Sequence, residues 1–304
     1  MVKRKLQKLN IKSLEHLSLQ LGCSRKKLLA VCNNISKYYR SKDKIIKGKE
    51  RHIDEPIFDL RRIVNKLQEI LSRIELPGYI QGGRKGFSII QNAKPHLGKA
   101  AVLNFDLEDF FPSIHCTRVY NLFIELGCSP RVAGILTRLT TYGGCVPHGS
   151  PTSTTVANLC ILPLAKRINE LANSHLCGYS QFVDDGTISG PAYIEKLRPL
   201  IDNIIKQAGF KASPKAHKRK TLYSNEEQKV CGVKVNKKIS VPKEKFQTVS
   251  KEIASFKQDI KNVKTHSEKN IRSLRGKIQH IKNLDKPKGL RLQKKFDIII
   301  NNTH

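Results

Sequence analysis

AVLNFDLEDFF (residues 101–111) and GYSQFVDDGTISG (residues 178–190) decide how this chain is read. The first opens as a continuous apolar run, which argues for a buried strand, and gathers Asp106, Glu108 and Asp109 at its far end. The second has a turn at its middle with β-prone residues on either side, the pattern of a hairpin. Asp184 and Asp185 are adjacent, and neighbouring carboxylates repel, so a strand pair gains nothing from them. Asp-Gly is also a favoured turn pair, and Asp184-Asp185-Gly186 alone is compatible with a plain turn. The other reading holds the two acids out at the hairpin tip, where a divalent cation offsets their repulsion.

Asp106 follows its strand directly, so it can project from the sheet edge toward that tip. Glu108 and Asp109 read as helix-start acids, which cap free N–H groups and favour the macrodipole. Asp106, Asp184 and Asp185 together suit two Mg²⁺ ions about 4 Å apart. Such a pair aligns a hydroxyl nucleophile with the α-phosphate of a nucleotide.

Working outward, residues 11–37 carry apolar positions at near-helical spacing, broken at Gly22-Cys23-Ser24, which predicts two short helices. KDKIIKGKERHIDEP reads as a hairpin around Lys47-Gly48-Lys49-Glu50. Ile57, Leu60, Val64, Leu67, Leu71 and Ile74 mark an amphipathic helix that stops before Pro77-Gly78. Helices are expected at 117–127, 130–141, 152–173 and 191–208, then a second hairpin around KVCGVKVNKKISV. The last sixty residues read as helical and very basic, with LRGKIQHIKNL the clearest part. This order argues for an α+β core followed by an all-helical appendage.

Charge sets the partner class. Of the 304 residues, 56 are Lys or Arg and 25 Asp or Glu, a net charge of +31 distributed along the whole length. Such an excess repels itself unless a polyanion is near, which favours nucleic acid. A basic structural protein without chemistry fits the charge equally well, so the motifs must decide. No apolar run approaches the roughly 20 residues of a spanning helix. MVKRKLQKLN is followed by no apolar signal region, so a cytoplasmic protein without a membrane partner is expected. The eight cysteines include no CxxC pair, which removes the usual zinc and redox signatures.

FDLEDFF, VPHGSPTS and FVDD, in this order, resemble motifs A, B and C of reverse transcriptases. QNAKPH resembles the NAxxH element of retron reverse transcriptases, with Asn92, Ala93 and His96, and Val230-Cys231-Gly232 resembles their VTG element. The resemblance implies a right-hand polymerase: an N-terminal helical extension (1–40), fingers and palm (41–242) and a helical thumb (243–304). No nuclease or integrase domain is expected after the thumb. Metal ligation and catalysis fall on Asp106, Asp184 and Asp185. Phe111 matches the steric gate that selects deoxynucleotides, with core packing beside Phe110 as the alternative. Arg51, with Lys47 and Lys49, matches the segment that holds the incoming triphosphate, although hairpin cations are often a solvated face. Gly149 and Ser150 keep their motif positions, and a glycine lets the backbone approach the nucleotide closely.

The motifs depart from the family where His148 stands for Gln and where Phe182 and Val183 stand for Tyr and Ala. The lysine that assists pyrophosphate departure is open among Lys215, Lys218 and Lys220, with Lys215 preferred. Asn92 and His96 are expected to shape the RNA-binding surface or merely to satisfy loop groups. Arg272, Arg275 and Lys277 are expected to track a nucleic-acid backbone or to face solvent. Retron membership further implies a cognate structured noncoding RNA as template and primer, deoxynucleoside triphosphates, a branched RNA–DNA product primed from a guanosine 2′-hydroxyl, and an effector protein in phage defence. Another bacterial reverse transcriptase lineage and a non-catalytic RNA scaffold are the rival readings.

Overall fold

The computed structural model describes residues 7–46, 49–214, 219–262 and 268–301. Helix α1 (Leu14–Leu21) starts where the Ser13 hydroxyl accepts from the His16 N–H and ends at Gly22 in the left-handed conformation (φ 64°). Ser24 caps α2 (Arg25–Asn33) in the same way through the Lys27 N–H, so the expected break falls at Gly22-Cys23-Ser24. An antiparallel hairpin of β1 (Tyr39–Ile46) and β2 (Lys49–Pro56) follows. Next, α3 (Phe58–Leu71) buries Leu60, Ile63, Val64, Leu67 and Leu71. A short α4 (Ile89–Ala93) then precedes β3 (Ala101–Asp106).

Beyond Asp106 the chain departs from expectation. Glu108 and Asp109 start no helix: residues 108–113 run through turns, and α5 (Cys116–Glu125) begins only after His115. Pro112 is one cause, because its ring disfavours helical geometry at the preceding residue. Asp109 itself adopts φ 42°, outside right-handed helix. Helix α6 (Pro130–Thr140) opens on the Ser129 cap with Pro130 in its first turn. The single helix expected over 152–173 is two, α7 (Ser153–Cys160) and α8 (Leu162–Ser174), because Pro163 has no N–H to continue the ladder. After β4 (Gly178–Phe182) and β5 (Asp185–Gly190), residues 192–197 are a 3₁₀ turn leading into α9 (Arg198–Gln207).

The last strands are β6 (Thr221–Tyr223) and the hairpin of β7 (Lys229–Val230) and β8 (Val233–Lys234). Cys231 and Gly232 form its tight turn, both at positive φ. Helices α10 (Lys243–Asn262), α11 (Glu268–Leu284) and α12 (Lys286–Asn301) complete the fold. Among the described residues no helix is long and apolar enough to cross a membrane.

The central sheet is antiparallel, in the order β4-β5-β3-β6. Side chains alternate across it, so its faces belong to different cores. Leu103, Phe105, Tyr179 and Ile188 join the large core built with α1 to α3 and α5 to α9. Val102 faces the other way, into a second core with Val230, Val233 and Val241 and the buried stripes of α10, α11 and α12. Asp285 joins the last two helices and is itself buried, accepting from the Ser240 hydroxyl at 2.5 Å and from the Lys288 N–H at 3.3 Å. α12 approaches α11 so closely that a Cβ on Gly289 would lie 2.3 Å from Lys282 Cα. Gly289→Ala is therefore expected to lower unfolding stability by about 1–3 kcal/mol, read from the urea midpoint. An unchanged midpoint would contradict this packing.

Candidate active site

Strand register brings the acids together. Asp106 pairs with Asp185 across β3 and β5, and Asp185 with Phe182 across β5 and β4, so the three side chains share one rung and one face. Asp184 lies beside them in the two-residue turn Val183-Asp184, whose carbonyl accepts from the Leu107 N–H at 3.0 Å. Carboxylate oxygens of Asp106, Asp184 and Asp185 all lie within 4.8 Å of one another. Asp106 is buried and the other two are half-buried. An all-oxygen set of hard anionic donors at this spacing fits a divalent cation such as Mg²⁺, whose charge offsets their mutual repulsion.

The turn is not the Asp185-Gly186 pair. Gly186 is a strand residue opposite Phe105, whose ring lies over it: a Cβ there would be 2.0 Å from Phe105 Cζ. The left-handed turn position falls on Val183, at φ 60°, a conformation costly for a β-branched residue. Gly82 leaves room for it, since a Cβ there would sit 2.4 Å from the Val183 nitrogen.

Phe111 is half-buried. Its ring lies 5.4 Å from Phe110 and meets His148 edge-on at 5.0 Å. The His148 carbonyl accepts from the Asp54 N–H at 2.8 Å, joining this loop to β2. Gly149 sits at φ 111° against the same strand, where a Cβ would come within 2.8 Å of Ile53 Cγ2. Ser150 is buried with its hydroxyl 3.1 Å from that of Thr152. Arg51 is exposed on β2; burial, and after it the Arg51 charge, holds the His148 imidazole below its ordinary pKa.

Other expected site residues fall elsewhere. Lys47, Lys215 and Lys218 lie outside the described residues. Lys220 pairs with Glu226 at 2.5 Å. Arg272, Arg275 and Lys277 are exposed on α11, where Arg272 meets Glu268 at 3.0 Å and Lys277 meets Glu252 at 2.7 Å. Asn92 and His96 are both inside, at 1% and 0% exposure. Asn92 Nδ2 donates to Cys231 Sγ at 3.2 Å, so the two short elements touch each other.

The His96 ring nitrogens lie 2.7 Å from the Ser189 hydroxyl and 2.8 Å from that of Ser180. These serines, with Asn104 and Thr187, escaped the sequence reading. The signal was present: Asn104 and Asp106, then Asp185, Thr187 and Ser189, recur at a spacing of two and so share the acid-bearing face.

Burial pushes the His96 imidazole down to about 4, while an unfolded chain titrates it near 6.5. Between those values the unfolded state binds the proton and the folded state does not. Stability is therefore full above about pH 6.5 and falls as pH drops toward 4, by about 3 kcal/mol for this group. His96→Gln should flatten that decline in urea titrations across the same window, and an unchanged slope would show that another group carries it.

A family model described as reverse transcriptase (RNA-dependent DNA polymerase) matches residues 39–235. The Retron Ec86 reverse transcriptase of Escherichia coli is 32% identical over 209 residues, covering 67% of this chain and 64% of its own. The Retron Se72 reverse transcriptase of Salmonella heidelberg (strain 579083-10) is 35% identical over 59% of this chain and 48% of its own. The Retron Mx65 reverse transcriptase of Myxococcus xanthus is 29% identical over 65% and 51%. The chain thus spans about half to two thirds of the length of these relatives. Among solved structures, a telomerase from Candida albicans in complex with a fragment of telomeric RNA aligns over 86% of this chain and 56% of its own, at 12% identity and TM-score 0.49. The chain belongs to the reverse transcriptase family, and within it is similar to the reverse transcriptases of retrons.

Proposed function

We propose that this chain is an RNA-directed DNA polymerase that copies part of a structured noncoding RNA into single-stranded DNA. The observation that carries the reading is the cluster of Asp106, Asp184 and Asp185, lying inside the stretch that matches the reverse transcriptase family. Two Mg²⁺ ions bound there supply charge neutralisation at the α-phosphate and activation of the attacking hydroxyl. The protein's share is positional. Asp106, Asp184 and Asp185 hold the ions, Arg51 with Lys47 takes the triphosphate, and Lys215 assists pyrophosphate departure. Gly149 and Ser150 form the backbone wall beside the nucleotide. Residues 41–242 act as fingers and palm, 243–304 as thumb, and 1–40 as an N-terminal extension.

Phe111 acts as the gate on the sugar. Wedged between Phe110 and His148, its ring cannot swing away freely, which is what exclusion of a 2′-hydroxyl requires. Phe111→Val or Phe111→Ala is expected to raise ribonucleotide incorporation in single-nucleotide addition assays by tenfold or more, corresponding to at least about 1.4 kcal/mol of lost discrimination. Unchanged discrimination would make Phe111 a packing residue.

The retron part of the proposal rests on the similar relatives and on the contact between Asn92 and Cys231. Because Asn92 and His96 are buried, they shape the RNA-binding surface from beneath; Arg272, Arg275 and Lys277, exposed on α11, meet the phosphate backbone directly. The expected partners are a cognate noncoding RNA, deoxynucleoside triphosphates and an effector protein encoded nearby, acting in antiphage defence. With that RNA the enzyme should start DNA synthesis without an added primer. The product should be a branched RNA–DNA joined at a guanosine 2′-hydroxyl, from which a debranching enzyme releases the DNA. A requirement for an added 3′-hydroxyl primer, with equal use of any RNA, would remove the retron role and leave the general polymerase.

A further inference from the structure

The face of the sheet that carries Asp106 and Asp185 continues downward as a hydrogen-bonded polar layer. Two residues along from the acids, on the same face, Asn104, Thr187 and Ser180 stand in register; two further along are Val102, Ser189 and Gly178. Thr187 Oγ1 donates to Asn104 Oδ1 at 3.0 Å, tying β5 to β3. Asn104 Nδ2 donates to the Lys229 carbonyl at 3.0 Å, extending the tie to β7. His96 lies across the neighbouring strands β4 and β5, with one ring nitrogen on Ser180 of β4 and the other on Ser189 of β5. Ser180, Thr187, Ser189 and His96 are each no more than 1% exposed.

A buried face of a sheet is covered at least cost by apolar side chains, so a polar layer here calls for a reason. Its bonds are directional, and they fix one strand register where greasy contacts would tolerate several. Register is what the acids depend on. A one-residue slip of β5 would turn Asp185 to the opposite face, and a smaller shift would change its distance from Asp106. His96 holds β4 and β5 at diagonal positions, so neither strand can slide past the other without losing one of its two bonds.

We propose that His96, Ser180, Ser189, Thr187 and Asn104 form a positioning layer that sets the spacing of the Asp106, Asp184 and Asp185 carboxylates and thereby their affinity for divalent cations. This rests on the metal site proposed above. His96 is on this account a positioning residue, acting through the two strands that flank the Val183-Asp184 turn.

The test is titration of the full chain with Mn²⁺, following the free ion by electron paramagnetic resonance, with urea unfolding measured alongside. Asp184→Asn should abolish the tightest binding in the wild-type protein. His96→Phe fills the volume without the bonds, and Ser180→Ala and Ser189→Ala, made singly and together, remove the partner hydroxyls. Each should weaken Mn²⁺ binding by the folded protein, the double serine variant by roughly tenfold, the lower range for loss of a supporting hydrogen bond at a metal site. His96→Gln, which keeps a donor and an acceptor, should recover part of the loss. Wild-type binding that survives Asp184→Asn would overturn the metal site itself. Binding lost in Asp184→Asn but unchanged in the serine variants would overturn the positioning layer alone, even if those variants unfold more easily. Should His96→Phe fail to fold, the serine variants decide.

Discussion

Three carboxylates held within 4.8 Å of one another are the constraint on which the rest of the molecule depends. Like charges at that spacing push apart, and water alone would let them do so. The chain prevents it by building each acid into backbone that cannot relax. Asp106 ends a strand buried on both faces, and Asp185 begins the strand paired with it. Asp184 is fixed by a turn with a valine in the left-handed region and by the hydrogen bond from the Leu107 N–H to its carbonyl. The Phe105 ring over Gly186 locks the same strand pair from the opposite face.

The chain that carries this acidic point is strongly basic overall. A net charge of +31 favours a polyanionic partner, while three of the chain's acids are gathered at one point where a cation fits. The two features are complementary: in the proposed function nucleic acid would be held by phosphate contacts spread over many residues, whereas the acids sit together at one rung of the sheet and its adjoining turn. The two hydrophobic cores serve that division. One builds the sheet and its helices; the other joins the sheet's acid-bearing side to α10, α11 and α12 through Val102, Ala93 and the β7–β8 hairpin.

Much of this was legible in the sequence because it is local. The break at Gly22-Cys23-Ser24, the amphipathic helix from Ile57 and the hairpin within KVCGVKVNKKISV were expected because each is set by chemistry that acts over a few residues. The acids were legible because adjacent carboxylates beside a strand have so poor a structural purpose. What escaped was set at long range. Gly186 looks like a turn residue until the Phe105 ring is seen to occupy its missing side chain. Glu108 and Asp109 look like helix-start acids until Pro112 and a left-handed Asp109 deny them the helix. His96 finds its partners 84 and 93 residues further along, a separation that no local pattern encodes.

In the proposed function these three carboxylates perform phosphoryl transfer while basic residues bind nucleic acid independently of them. Replacing Asp184 by Asn removes one charge from the cluster at nearly constant size. Primer extension on an RNA template in Mg²⁺ should then be lost while the affinity for RNA, measured at the same salt concentration, stays close to that of the wild type. DNA synthesis at the wild-type rate by the Asp184→Asn protein would contradict the account.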